Sequence, residues 1–435
     1  VTSADIASLR LENLFGYLDH EVTFRPGIAT ILTGPNGSGK THVLSILRAL
    51  VALDFYALSD EPFGSATLVY RSNETLSARR VDDGAAHLIE VSGTDRHGEL
   101  IGEFQVDPRE RSDQAPVHIP PWIRHLGPDE FYDTEAGEYL TSEDMRIAYG
   151  SPEEETGTLV DVHDWLRPFV PPAQPTFIQT GRLDIAVSPP LTQRPLRTRR
   201  RPAPRSAIER YVAEIKNQIT EARRASLSVS QRADRQFAAR ALNKARASLR
   251  EPDLRQRYEA IAALHHELHA NALTEETIAV AFPSERTTPT ERRILNVFLE
   301  DWEEKLVPLQ PVHQKLQTLR GIVENKLRDK EMRVSPRGDV SFVSPTGEDL
   351  TVDLLSSGEQ HMLALFTMLL FTAAPGSLVL IDEPEISLHA AWKHAFLDDL
   401  KRISELMPVK VILATHSTAL INSQWDLVEE LVLTR

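Results

Sequence analysis

Eight residues, Gly34-Pro35-Asn36-Gly37-Ser38-Gly39-Lys40-Thr41, restrict the possible folds of this chain more than any other stretch. They fit Gly-x-x-x-x-Gly-Lys-Ser/Thr, follow the apolar run 28–33, and precede residues 42–57, whose apolar positions recur at helical spacing. Strand, tight loop and helix in that order are the context the pattern requires. The glycines let successive backbone N–H groups turn inward around phosphate oxygens, and the helix N-terminus adds partial positive charge. Lys40 is expected to reach the outer phosphates and the Thr41 hydroxyl to ligate Mg2+, with His42 the last cofactor-binding residue of the loop. The stretch is a nucleotide site.

At 435 residues and 41% hydrophobic content, the chain is long enough for two or three packed domains. It has no cysteine, which excludes a disulfide framework, a thiolate zinc site and a cysteine nucleophile. No apolar run reaches the roughly 18 residues of a membrane span, and the first residues show no signal-peptide pattern. A soluble, cytoplasmic protein with no membrane partner is expected. The net charge of −15 argues against coating nucleic acid over the whole surface.

Four regions follow from composition and period: an N-terminal lobe 1–106, a proline-rich irregular region 107–204, a helical insertion 205–330 and a C-terminal lobe 331–435. In the first, 6–14 and 21–24 alternate as strands around a turn at Phe15-Gly16-Tyr17, and either aromatic could stack on adenine. Residues 66–70, 87–92 and 99–106 predict a small antiparallel sheet. In the second, more than half of the 28 prolines exclude long helices and central strands. Its stretch 129–165 carries twelve carboxylates against the single Arg146 and reads as a solvated loop. An apolar island, 175–183, interrupts this second region. In the third, apolar residues at three- and four-residue spacings predict helices over 206–227, 230–250, 252–270 and 289–330, the last broken at Pro308 and Pro311. Two broken antiparallel arms are the economical arrangement. In the last, a hairpin is expected around Ser335–Asp339 and a strand over 350–355.

Charge is unevenly distributed. Between Arg194 and Arg257 there are eighteen basic residues against six acidic ones, densest at 194–201. Three roles fit: a nucleic-acid contact, a dock for an acidic partner, or a cover for the 129–165 loop. Clustered arginines favour the first through counterion release, but no aromatics are interleaved for base stacking.

The other half of the chemistry lies near the C-terminus. Ser356, Ser357 and Gly358, followed by Glu359, open an apolar helix at 361–373, where backbone N–H groups and a hydroxyl could meet a phosphate; a helix N-cap explains the same residues. Residues 377–381 form a buried parallel strand ending in Asp382 and Glu383. Asp382 is placed to hold Mg2+, and Glu383 to orient and deprotonate the attacking water. A third apolar run, 409–414, ends in Thr415-His416-Ser417, and His416 could reach the γ-phosphate.

Taken together, these elements resemble an ABC-type ATPase head of the SMC, RecF and OLD kind. GPNGSGKT resembles Walker A, LSSGEQ the signature, LVLIDEPE Walker B, PEISLH the D-loop of DNA-repair and phage-defence ATPases, and ATHS the switch-histidine motif. FIQTGRL resembles the Q-loop strand, with Gln179 the glutamine although its position is displaced. The resemblance covers about 1–60 and 330–435 and is closest to stand-alone ATPase subunits of bacterial anti-phage systems of the Septu, PARIS and retron type. It implies an α/β fold, with a mixed sheet and flanking helices, split by the proline-rich region and the helical arms. It also implies ATP and Mg2+ as ligands, with Lys40, Glu383 and His416 catalytic. An ATP-dependent homodimer is expected in which Ser357 and Gly358 complete the partner's site, regulating a separate effector that the resemblance implies is a nuclease. No nuclease domain is expected in the chain itself. A RecF- or SMC-like DNA-repair clamp and an importer-type transport ATPase are the alternatives.

Overall fold

A computed structural model describes residues 6–27, 29–82, 87–107, 123–127, 130–133, 138–141, 163–179, 207–243, 250–274, 281–327, 329–386 and 388–432. The chain divides into two compact units, one formed by 1–207 with 373–435 and the other by 208–372.

The first unit is built on two sheets. Its parallel sheet has the order β11 (Thr176–Gln179), β15 (Leu378–Asp382), β16 (Lys410–Ala414), β3 (Ala29–Thr33), β17 (Val428–Glu430). β3, β15 and β16 are buried along nearly their whole length, which is why they read as continuous apolar runs rather than alternating ones. All neighbours are parallel, so Thr33, Gln179, Asp382 and Ala414 stand together at the carboxyl end.

The second sheet is antiparallel, in the order β2 (Leu18–Thr23), β1 (Ile6–Leu14), β4 (Ser65–Tyr70), β5 (Thr75–Asp82), β6 (His87–Thr94), β7 (Leu100–Val106). The antiparallel sheet expected from 66–70, 87–92 and 99–106 is present and also takes in β1, β2 and β5. β5 escaped the sequence reading because its charged residues, Arg79 and Arg80, interrupt the apolar alternation. Arg80 donates to the carbonyls of Leu58, Ser59 and Glu61 and lies over the Phe63 ring, so the sheet pays its charge back in loop contacts. Helix α1 (Lys40–Ala52) packs against both sheets, touching β4 on one side and β15 and β16 on the other. Its buried residues therefore surround the axis, and one core joins Leu9, Leu11 and Leu68 to Leu47, Leu50, Leu380 and Ile412.

Three short strands, β8 (Ile123–Gly127), β9 (Glu130–Asp133) and β10 (Glu138–Thr141), form an antiparallel sheet, and the last two fall inside the stretch 129–165 read as a solvated acidic loop. The rest of 129–162, and the arginine cluster 194–201, lie outside the described residues.

The second unit contains α2 (Ala207–Asn243), α3 (Glu251–Ala270), α4 (Pro289–Leu306) and α5 (Gln310–Glu324). The break expected near 228 is absent, and α2 runs on for 37 residues. Serines at 226, 228 and 230 lower propensity but do not stop a helix whose apolar face is packed; Ser226 donates to the Lys305 carbonyl at 2.8 Å. Gln218 meets Lys315, Ser226 meets Lys305, and Arg240 pairs with Asp301, so α2 runs against α4 and α5 in the opposite sense. Pro308 falls in a 3-10 turn between α4 and α5, as proline chemistry predicts. Strands β12 (Glu331–Val334) and β13 (Val340–Val343) make the expected hairpin. The strand expected over 350–355 is instead a two-residue pairing at β14 (Asp349–Leu350) followed by a 3-10 turn, Val352–Leu354. Helix α6 (Ser357–Thr367) follows and loosens into a π turn at Met368–Thr372.

Candidate nucleotide site

The loop 34–39 leaves β3 at the carboxyl end of the parallel sheet, where α/β folds hold their ligands. Its conformation accounts for its glycines. Gly37 and Gly39 have φ of 81° and 84°, which side chains rarely adopt. A Cβ on Gly39 would lie 2.5 Å from Leu14 Cδ2, and one on Gly34 would lie 2.8 Å from the Leu431 carbonyl oxygen. Gly39 caps α1, so the first N–H groups of the helix open into the loop. Lys40 Nζ donates to the carbonyls of Gly34 and Pro35, both at 3.2 Å. Burial lowers its pKa, while Glu383, Asp382 and Glu385 oppose the shift, so an ammonium among three carboxylates stands over the loop.

Thr41 and Asp382, separated by 341 positions in sequence, meet here: the Thr41 hydroxyl donates to Asp382 Oδ2 at 2.8 Å. Burial raises the Asp382 pKa, with Glu383 adding to the rise and the Thr41 hydroxyl opposing it. A carboxylate held this way gains most from a nearby cation. Two hard oxygen donors beside a phosphate loop fit Mg2+, which takes few protein ligands and completes its shell from phosphate and water. Among the described residues, no cluster of three or more His, Cys, Asp or Glu offers a rival metal site.

Glu383 adopts φ of 48°, a strained left-handed conformation for a residue with a side chain. Its N–H donates to the Ala414 carbonyl at 2.9 Å, which ties it to β16. That neighbouring strand delivers His416, whose Nε2 lies 3.3 Å from Glu383 Oε1. Glu385 is the member of this group that sequence reading did not single out. Its Oε1 accepts from the Thr415 hydroxyl at 2.7 Å and from the His416 N–H at 2.8 Å, so it locks the strand end that carries the histidine. Sequence reading absorbed it into the D-loop text, and its glutamate chemistry at the third position after Asp382 was the available signal.

Gln179 is brought to the same sheet edge, in register with Asp382 on the parallel neighbour. Phe15 and Tyr17 lie at the turn between β1 and β2, and the Phe15 ring meets His42 edge-on at 4.9 Å. His42 Nδ1 pairs with Glu61 Oε2 at 2.6 Å, so this side chain is engaged beside the loop. His20, another residue the sequence reading passed over, donates from Nε2 to the Ser38 carbonyl at 2.8 Å.

Ser356, Ser357, Gly358 and Glu359 belong to the second unit. Ser356 caps α6 in a capping box, and its N–H donates to Glu359 Oε2 at 2.8 Å. Lys330 Nζ lies 2.7 Å and 2.9 Å from the two Glu359 oxygens. Gln360 Nε2 donates to the carbonyls of Asp353 and Leu355, both at 2.9 Å. Glu359 and Gln360 are therefore committed to building the helix start, whereas Ser357 on its first turn is exposed.

Many described cations of 207–257 are neutralised within the second unit. Lys216 pairs with Asp339, Arg224 with Glu221, Arg240 with Glu300 and Asp301, Arg250 with Asp253, and Arg257 with Glu303. Residues 194–206 and 244–249 of the basic segment lie outside the described residues. No described helix is long and apolar enough to cross a membrane.

Comparison with known proteins places this geometry in context. Over 97 residues the chain is 35% identical to the DNA replication and repair protein RecF of Corynebacterium jeikeium (strain K411), a match covering 21% of this chain and 22% of that protein. The match thus spans about a fifth of that relative's length. Among solved structures, the Smc head domain of Pyrococcus furiosus bound to the C-terminal domain of ScpA is 14% identical, with 96% of this chain and 90% of that chain covered at a TM-score of 0.38. The SMC head domain from Thermotoga maritima is 12% identical, with 98% and 94% covered at a TM-score of 0.33. A family profile matches residues 176–422, more than half of the sequence and inclusive of Asp382, Glu383 and His416. The chain belongs to the family described as "AAA domain, putative AbiEii toxin, Type IV TA system".

Proposed function

We propose that the protein is a Mg2+-dependent ATPase that dimerises around ATP and regulates a separate effector, a nuclease, in bacterial anti-phage defence. The observation that carries the ATPase reading is the convergence of Lys40, Thr41–Asp382 and Glu383–His416 at one end of the parallel sheet. In this reading the inward N–H groups of the loop and the first turn of α1 bind the phosphates, and Lys40 exchanges its carbonyl partners for phosphate oxygens. Thr41 and Asp382 would hold a Mg2+ ion, which would supply positive charge beside the phosphates. Glu383 accepts the proton of the attacking water, and His416 orients Glu383 and contacts the outer phosphate. Ser357 and Gly358 act on the nucleotide held by the other protomer. The toxin–antitoxin system in the family's description supports a regulatory role.

The likeness to RecF favours a second reading, a DNA-repair clamp. Internal pairing of Arg240, Arg250 and Arg257 leaves fewer cations of 207–257 for phosphate contacts and weighs against it. Both readings are tested by mixing Lys40→Ala and Ser357→Arg chains, each inactive alone. Partial recovery of ATP hydrolysis supports a site shared across a dimer; no recovery in a mixture shown to heterodimerise refutes it. Duplex binding that weakens steeply with salt would favour the clamp, whereas co-purification of a nuclease favours the effector reading.

A further inference from the structure

We propose that His20 is a positioning residue of the phosphate loop: by holding the Ser38 carbonyl from behind, it aims the Gly39 N–H at bound phosphate. This rests on the nucleotide reading given above. On β2 the inward-facing positions are Leu18, His20 and Val22, with solvent-facing residues between them. A histidine in that row breaks an apolar pattern, and at 4% exposure the ring needs a partner to offset its lost hydration. Its partner is the one carbonyl of the loop that lies between Gly37 and Gly39, reached at 2.8 Å. A carbonyl only accepts, so Nε2 carries the proton. Burial lowers the pKa of the ring, against the raising effects of the Ser38 carbonyl and of Asp19, which favours a neutral donor.

The consequence follows from peptide geometry. In a planar trans peptide the carbonyl and the following N–H point in opposite directions. Fixing the Ser38 carbonyl toward β2 turns the Gly39 N–H away from β2, the side on which the nucleotide reading puts the phosphate. The tether is needed because glycines at positions 37 and 39 leave the intervening peptide easy to rotate. The β1–β2 hairpin holds the loop at a second point, where Leu14 packs against Gly39. Both points lie on the one hairpin, in which Leu11 pairs with His20 and, past a shift of register, Leu14 with Leu18.

The test compares His20→Gln, His20→Asn and His20→Leu. The Gln amide nitrogen reaches the place of imidazole Nε2, whereas the Asn amide stops at that of Nδ1. Mg2+ and a fluorescent ATP analogue give Kd, phosphate release gives KM and kcat, and melting without nucleotide monitors the fold. In the Asn and Leu variants, Kd and KM should rise about tenfold, the effect of one misdirected hydrogen bond, with kcat within about twofold because ground and transition states use the same contact. The Gln variant should return to within about threefold of the original protein. The amide pair carries the comparison even if the Leu variant fails to fold. Unchanged affinity in the folded Asn variant, or a Gln variant as weak as Asn, overturns the proposal while leaving the nucleotide site intact. Failure of the original protein to bind the analogue would overturn both.

Discussion

Replacing Glu383 by glutamine separates chemistry from binding. Gln is nearly isosteric and retains the left-handed backbone at φ of 48°, so the strain at this position, about 1–3 kcal/mol, is the same before and after. What is lost is a proton acceptor 3.3 Å from His416 Nε2. A positioned general base contributes roughly 10²–10⁴ in rate, which corresponds to about 2.7–5.4 kcal/mol of barrier. Binding should move the other way or not at all. Glu383 adds to the upward shift of the Asp382 pKa, so removing its charge eases Asp382 into the ionised form that suits Mg2+. Its removal also takes away the largest of the carboxylate interactions that raise the Lys40 pKa, but Asp382 and Glu385 remain to hold the ammonium. The expected result is phosphate release reduced at least about a hundredfold at saturating Mg-ATP, with Kd for the nucleotide within about threefold. Turnover within tenfold of the original, or a Kd that rises in step with the loss of rate, would refute the assignment of Glu383 as the base.

Two further substitutions test the electrostatics. The Asp382 pKa is raised in the folded state, so its ionised form opposes folding above the ordinary carboxylate range, and stability returns as pH falls through the folded value. Asp382→Asn should therefore melt at the same or higher temperature than the original at neutral pH without nucleotide, yet lose the stabilisation conferred by Mg-ATP; a lower melting temperature would contradict the burial argument. Glu359 shows the reverse sign. Burial opposes ionisation there, but Lys330 and the Ser356 N–H outweigh it and lower the pKa. Its contribution is present above the ordinary carboxylate pKa and is lost as pH falls through the folded value. Glu359→Ala should cost about 1–2 kcal/mol near neutral pH and show a smaller acid-dependent loss, read from melting curves at a series of pH values.

The nucleotide loop, the strand ending in Asp382 and Glu383, and the strand ending in Thr415 were legible because each is local. A glycine-rich turn and a buried parallel strand depend on residue types within about ten positions. Errors arose where neighbours in space override local preference. The serines near 228 suggested a break, but packing against α4 carries α2 straight through. Leu350–Leu355 looked like a strand, but only its first residue pairs, because the chain turns there to start α6. Arg80 concealed β5, since its charge is satisfied by loop carbonyls from residues 58–61 rather than by solvent.

The sequence alone carried the phosphate-loop pattern of 34–41, residue types at Thr41, Asp382 and Glu383 that suit Mg2+ and a general base, and the helical spacing of the segments that interrupt the lobes. Only the tertiary structure decided that these residues form one site. A parallel sheet gathers the carboxyl ends of strands far apart in sequence, and its register sets Gln179 beside Asp382 and brings His416 to Glu383. Partnership at His20 and Glu385 was also decided there. A histidine on a buried strand face and a half-buried glutamate both need hydrogen-bond partners, but which carbonyl or hydroxyl meets that need depends on strands brought together only by folding.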